Sequence, residues 1–133
     1  MTQQDLQEYQ NSKRRYIEAK ERLAEFEMTI YYSPSPTYDG MPKSHGDISE
    51  RLSAATDRHE ELINAVNVAL LRYINAGRIL DQVVAILPID EGRLIEYRYR
   101  QCLPWKEAAE NAGYVERSAY HVHQRILRKI QKL

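Results

Sequence analysis

Eight side chains near the end of the chain have the chemistry to bind a polyanion: Lys106, Arg117, Ser118, Tyr120, His121, Gln124, Arg125 and Arg128. All can donate hydrogen bonds, and these are the groups that meet phosphate oxygens and the edges of nucleobases. Residues 114–133 hold five Lys or Arg against one acid, Glu116, a local charge of +4. The whole chain is neutral, with 19 Lys+Arg and 19 Asp+Glu, so this positive charge is placed and not diffuse. A solvated helix face would account for any one of these residues alone. The set as a whole fits nucleic acid better.

Other chemistries find little support. The five glycines stand singly at 40, 46, 77, 92 and 113, so no Gly-rich phosphate loop is present. His121 and His123 are two apart, which on a helix sends them to different sides and makes a shared metal ion poor geometry. Cys102 is the one cysteine. It has no partner for zinc or for an internal disulfide, and its place in an apolar run predicts a small buried side chain. Glu107 and Glu110 are close together, but nothing apolar surrounds them to make an acid/base pair. No catalytic residues, cofactor or metal are expected, and the chain reads as a non-enzyme.

The elements that must position the eight donors are short helices. Asp90 is a plausible N-cap for a helix reaching about Cys102. Pro104 suits the first position of the next helix, from Trp105 to about Asn111, and Gly113 suits a left-handed C-terminal cap. A last helix then runs from about Glu116 to Lys132. In it Ala119, Val122, Ile126 and Ile130 recur at three- and four-residue steps and share one face. Leu94, Ile95, Tyr97 and Tyr99 give the first of these helices its apolar side, and Ala108 and Ala109 are small enough for close helix approach. Short helix, Gly-containing turn, longer helix is the outline of a helix-turn-helix.

The residues EYRYRQCLPWKEAAENAGYVERSAYHVHQRILRKIQKL resemble the fourth region of bacterial sigma factors. That region carries an Arg-Tyr pair, a short turn, Trp-x-Glu-x-Ala, a Gly-Tyr turn and then a recognition helix. The closer resemblance is to the sigma-like regulators of phages of Gram-positive bacteria, the RinA/ArpU type. Their recognition helix often carries a stretch like Tyr120-His121-Val122-His123, and their upstream part a segment similar to SPSPTYDGMPKSHGDIS at 33–49. The two matches together cover about half of the chain's 133 residues. Val115 stands where the family usually has a capping Ser or Thr, and Ala108 where it usually has a branched residue. The resemblance implies an activator of phage or prophage late genes, with a second surface that meets RNA polymerase.

The upstream chain reads as helix too. Residues 3 to about 31 form a charged stretch free of Gly and Pro, with Leu6, Tyr9, Tyr16, Leu23, Phe26 and Ile30 as an interrupted apolar stripe. Its impure heptads leave two readings: one arm of an intramolecular hairpin, or a self-associating coiled coil. Three of the five prolines lie between 34 and 42, so 32–46 is a loop, either a solvated connector or a recognition loop for a protein partner. His45 in it is expected to be exposed. A second long helix starts at Asp47 or Ser49. Its stripe is Ile48, Leu52, Ala55, His59, Leu62, Ile63, Val66, Leu70, Tyr73 and Ile74, with His59 a half-buried, satisfied histidine beside it. It can bury Leu23, Phe26 and Ile30 near its start. Gly77 either stops this helix or weakens it at one point. Residues 78–87 are helical and packed on the C-terminal unit.

The expected architecture is therefore all-α, with a long helical hairpin over 1–77 and a helix-turn-helix domain over 78–133. The hydrophobic share of 43% permits a core, while a mean hydropathy of −0.65 fits long, partly solvated helices. The single cysteine and the lack of a leader or long apolar run point to a soluble, cytoplasmic protein with no membrane partner. The expected function is a regulator that puts the 116–132 helix into the major groove of double-stranded DNA. Arg117, Ser118, Tyr120 and His121 would reach base edges, and Lys106, Gln124, Arg125 and Arg128 would reach phosphates. The alternative is an adaptor that binds RNA polymerase or another regulator without reading DNA. A homodimer is a further expectation of partnership.

Overall fold

The computed structural model describes residues 1–32 and 45–133, and among these there is no strand. The expectations for the 32–46 loop, for His45 and for the second segment of resemblance fall wholly or partly outside the described residues. Helix α1 runs Gln3–Tyr32, α2 His45–Ala85, α3 Ile89–Ile95, α4 Trp105–Ala112 and α5 Glu116–Ile130. No helix among the described residues is long and apolar enough to cross a membrane.

Helices α1 and α2 lie antiparallel. Tyr9 near the start of α1 meets Tyr73 late in α2, their hydroxyls 3.1 Å apart and their rings 5.2 Å apart. Near the other end, Phe26 stacks on His59 at 5.9 Å, and Glu27 holds His59 Nε2 at 3.1 Å. His59 is thus the half-buried, satisfied histidine its position suggests. The Tyr9 hydroxyl, as hydrogen-bond partner, pushes the Tyr73 pKa up to about 12, with burial adding to the effect. Tyr73 therefore packs as a neutral phenol.

Several residues of the expected α2 stripe face water. Leu62 is buried, but Ile48, Leu52, Ile63 and Ile74 are exposed, as is Ile30 on α1. Two helices can close only one side of each other, so a stripe wider than the contact leaves its flanks in solvent. Helix α2 also begins at His45, earlier than the capping residues suggested, and continues unbroken through Gly77 to Ala85. The expected domain division at 77 falls inside it.

One core joins the two ends of the molecule. Leu6 and Tyr9 of α1 and Ala76, Leu80, Val83 and Leu87 of α2 cluster with Leu94, Ile95, Tyr99, Ala108, Ala109, Ala119, Val122, Ile126 and Ile130. Ala108, Ala109 and Ala119 are fully buried, and their lack of bulk lets α4 and α5 approach closely.

Breaks between the short helices have local causes. Pro88 precedes α3 and Pro104 precedes α4, each extended with ψ near 155°, so each proline sits at the cap and not one residue inside. Asp90 lies within the first turn of α3 and does not cap it. After Ile95 the helix widens into a π-helical turn, Glu96–Arg100. Cys102 then takes φ 58°, a left-handed conformation that glycine usually occupies, and the Leu103 amide returns to the Tyr97 carbonyl at 3.0 Å. Cys102 is half-buried and not buried as expected, its thiol turned to the Tyr99 carbonyl of the preceding turn at 3.6 Å. Helix α4 ends at Gly113, φ 86°, with Tyr114 N–H donating to the Ala109 carbonyl at 2.8 Å and Gly113 N–H to the Glu110 carbonyl at 3.2 Å. Those two bonds make a Schellman end.

Gly77 gives a direct test of the continuous α2. A Cβ there would meet its nearest neighbour, the Tyr9 ring, at an ordinary 3.6 Å. Gly77→Ala is therefore expected to stabilise the fold by about 0.8–1 kcal/mol through helix propensity alone, read as a higher denaturation midpoint in urea at unchanged slope.

Candidate nucleic-acid interface

The candidate interface is carried by α5, whose two faces differ in burial. Ala119, Val122, His123, Ile126 and Ile130 are buried. Arg117, Ser118, Tyr120, His121, Gln124, Arg125 and Arg128 are exposed, as is Lys106 on α4. The three-and-four periodicity that places apolar residues inward leaves these donors outward. The helix starts without a side-chain cap, because Val115 at that position has none to offer. Its amides are left for water or a ligand, and the first turn carries Arg117 and Ser118 beside them.

Arg125 departs from the simple picture of a free outward cation. Its Nε and Nη2 both donate to Glu91 Oε1, at 3.2 and 2.9 Å, while Lys129 Nζ donates to Glu91 Oε2 at 2.9 Å. Glu91 comes from the first turn of α3, with its side chain only 5% exposed. Arg125 and Lys129 lie one turn apart on α5, so one carboxylate can hold both, and both remain about half in water, at 59% and 43% exposure. Glu116 is thus not the only acid that meets the basic face. Lys106, Arg117 and Arg128 stand in no ion pair among the described residues.

Beneath α5 an aromatic cluster sets its height on α4. The Trp105 ring meets His123 edge-on at 4.6 Å and Tyr120 at 5.2 Å. Arg98 lies over the same indole at 4.8 Å and donates to the Leu103 carbonyl at 2.9 Å. The Tyr99 hydroxyl and His123 Nε2 are hydrogen-bonded to each other. Burial lowers the His123 pKa to about 4, with the nearby Arg98 charge adding to it, and burial raises that of Tyr99. Both groups are neutral near pH 7. The wide π turn holds Tyr99 against His123 while Arg100 reaches Glu96 and Asp81, each at 2.6 Å.

Sequence reasoning found the outward donors but missed Glu91, Arg98, Trp105 and the Tyr99–His123 pair as their supports. The signal for Glu91 was an acid with Leu87, Leu94 and Ile95 at three- and four-residue steps from it. The signal for its partners was two cations at a four-residue step. Among the described residues no group of three or more His, Cys, Asp or Glu is arranged to hold a metal ion.

Two measurements test these supports. Glu91→Gln removes the charge that gathers Arg125 and Lys129, and it should cost about 1.5 kcal/mol, the low end for bonds to charged groups because both cations stay half in water. Equilibrium unfolding reads it. His123 has a folded pKa below its unfolded one, so between pH 6.5 and about 4 the unfolded chain binds a proton that the folded chain excludes. Stability from this group is whole above pH 6.5 and is lost as pH falls toward 4, at a slope approaching about 1.4 kcal/mol per pH unit. His123→Phe should flatten that slope. The chain matches no protein-family model, no curated protein and no solved structure.

Proposed function

We propose that this chain is a DNA-binding transcription regulator in which α4, the Gly113 turn and α5 act as a helix-turn-helix. In this reading 1–77 is a helical hairpin that carries the DNA-binding unit of 78–133, and α5 enters the major groove of double-stranded DNA with its N-terminal end first. The observation that carries it is the division of α5: one face closed on the core, the other presenting Arg117, Ser118, Tyr120, His121, Gln124 and Arg128 to solvent. Arg117 in the first turn is the residue for a guanine edge, with Ser118, His121 and Tyr120 beside it. Gln124, Arg128 and Lys106 are suited to phosphates, which fix register without reading sequence. Arg125 reaches a phosphate only by sharing with Glu91 or leaving it. The resemblance to sigma region four and to the phage late-gene activators adds to this reading. With it come a cytoplasmic location, the absence of catalysis and a meeting with RNA polymerase.

An adaptor that binds RNA polymerase without reading DNA is the second reading. It is favoured by the apolar side chains Met28 and Leu52, which are 61% and 64% exposed toward the end of the α1–α2 pair away from α5.

Gel shifts on DNA selected from a random pool separate the two. The regulator loses affinity steeply as salt rises, because bound phosphates release counterions. Arg117→Ala should relax discrimination at one base pair by about 1–3 kcal/mol while leaving the fold intact, since Arg117 is exposed. Binding that shows neither sequence preference nor salt dependence would favour the adaptor.

A further inference from the structure

Helix α2 has a second periodic face that α1 does not cover. Glu61, Asn64, Val68, Leu71, Asn75 and Arg78 follow one another at steps of three and four, and all six are exposed. That spacing is the seam of a two-stranded coiled coil. At its centre Leu71 is 67% and Val68 49% exposed, an arrangement with no role in closing the α1–α2 pair.

We propose that this seam pairs two copies of the chain, α2 against α2, antiparallel about a two-fold axis between residues 69 and 70. The argument is self-complementarity. In an antiparallel pairing each a position meets a d position of the other strand, and a two-fold interface presents the same patch on both sides. About that axis Val68 of one copy meets Leu71 of the other, Asn64 meets Asn75, and Glu61 meets Arg78. Every layer is matched: apolar with apolar, amide with amide, acid with base. A parallel pairing would set Glu61 against Glu61 and Arg78 against Arg78, like charges that oppose it.

The surface also supplies a receptacle. A groove of about 350 Å³ beside the seam is lined by Glu61, Asn64, Ala65, Val68, Ala69 and Arg72 of α2, with Ser12 and Arg15 of α1 on its other bank. Residues 61, 64, 65 and 68 of this groove form a four-residue hole on the seam for a knob of a facing helix. Ala65 and Ala69 make the groove deep. The antiparallel axis brings Leu71 of each copy to the level of Val68 of the other, at the mouth of this groove. The two Asn layers would fix register at some cost in strength. The proposal stands on α2 alone and holds whatever α5 binds.

Sedimentation of the full chain over a range of concentrations tests it. The wild type should approach twice the 15.6 kDa chain mass. Leu71→Glu, Glu61→Arg and Arg78→Glu each alter an exposed side chain, should keep the helical circular dichroism, and should each return the mass to that of a monomer. The Glu61→Arg/Arg78→Glu double variant should recover the dimer, and so should an equimolar mixture of the two single variants. A wild type that stays monomeric into the hundred-micromolar range overturns the proposal. So does a dimer whose mass ignores the single charge reversals.

Discussion

A 15-residue helix does not hold itself together in water. Everything α5 offers to a partner depends on its apolar side being taken up by the rest of the chain. Ala119, Val122, Ile126 and Ile130 provide that side, and they fit only because Ala108 and Ala109 on α4 are small and Leu94 and Ile95 on α3 complete the floor. Burial of this stripe sets the rotation of α5. Rotation in turn decides that Arg117, Ser118, His121 and Arg128 stand in solvent. The Glu91 carboxylate and the Trp105 cluster act on the same helix from beneath, one through Arg125 and Lys129, the other through His123 and Tyr120.

The helical class and most of the C-terminal unit were legible in the sequence because they follow from local rules. Periodicity gave the α5 core residues, and Gly113 and Pro104 marked the breaks to within a residue. The π turn was not legible, since nothing in EYRYR distinguishes a regular turn from a widened one. Cys102 could not be placed either, because a left-handed cysteine is a concession to the turn on either side of it. Gly77 left a stop and a weak point equally open, and α2 runs through it with Tyr9 and Arg100 packed nearby, against a propensity cost of about 1 kcal/mol.

Of the candidate site, the sequence showed which groups could donate but not which were already engaged. Arg125 and Arg128 look alike in a string of residues. One turns to a carboxylate that lies 34 positions earlier in the chain, and the other does not. Long-range pairing of this kind depends on the crossing of α3 and α5, which is a property of the fold and not of any local pattern. The α2 stripe erred for a related reason: a sequence shows how many apolar residues recur, but not how many neighbours exist to cover them.

The unbroken 41 residues of α2 have a mechanical consequence. At 1.5 Å per residue they make a strut roughly 60 Å long, braced along much of that length by α1 and rooted at its far end in the same core as α5. Bending such a braced strut is costly. A load applied at the far end of α2, beyond His59, would therefore arrive at α3 and α5 as a tilt of the whole head, because the helix runs without a break to Ala85.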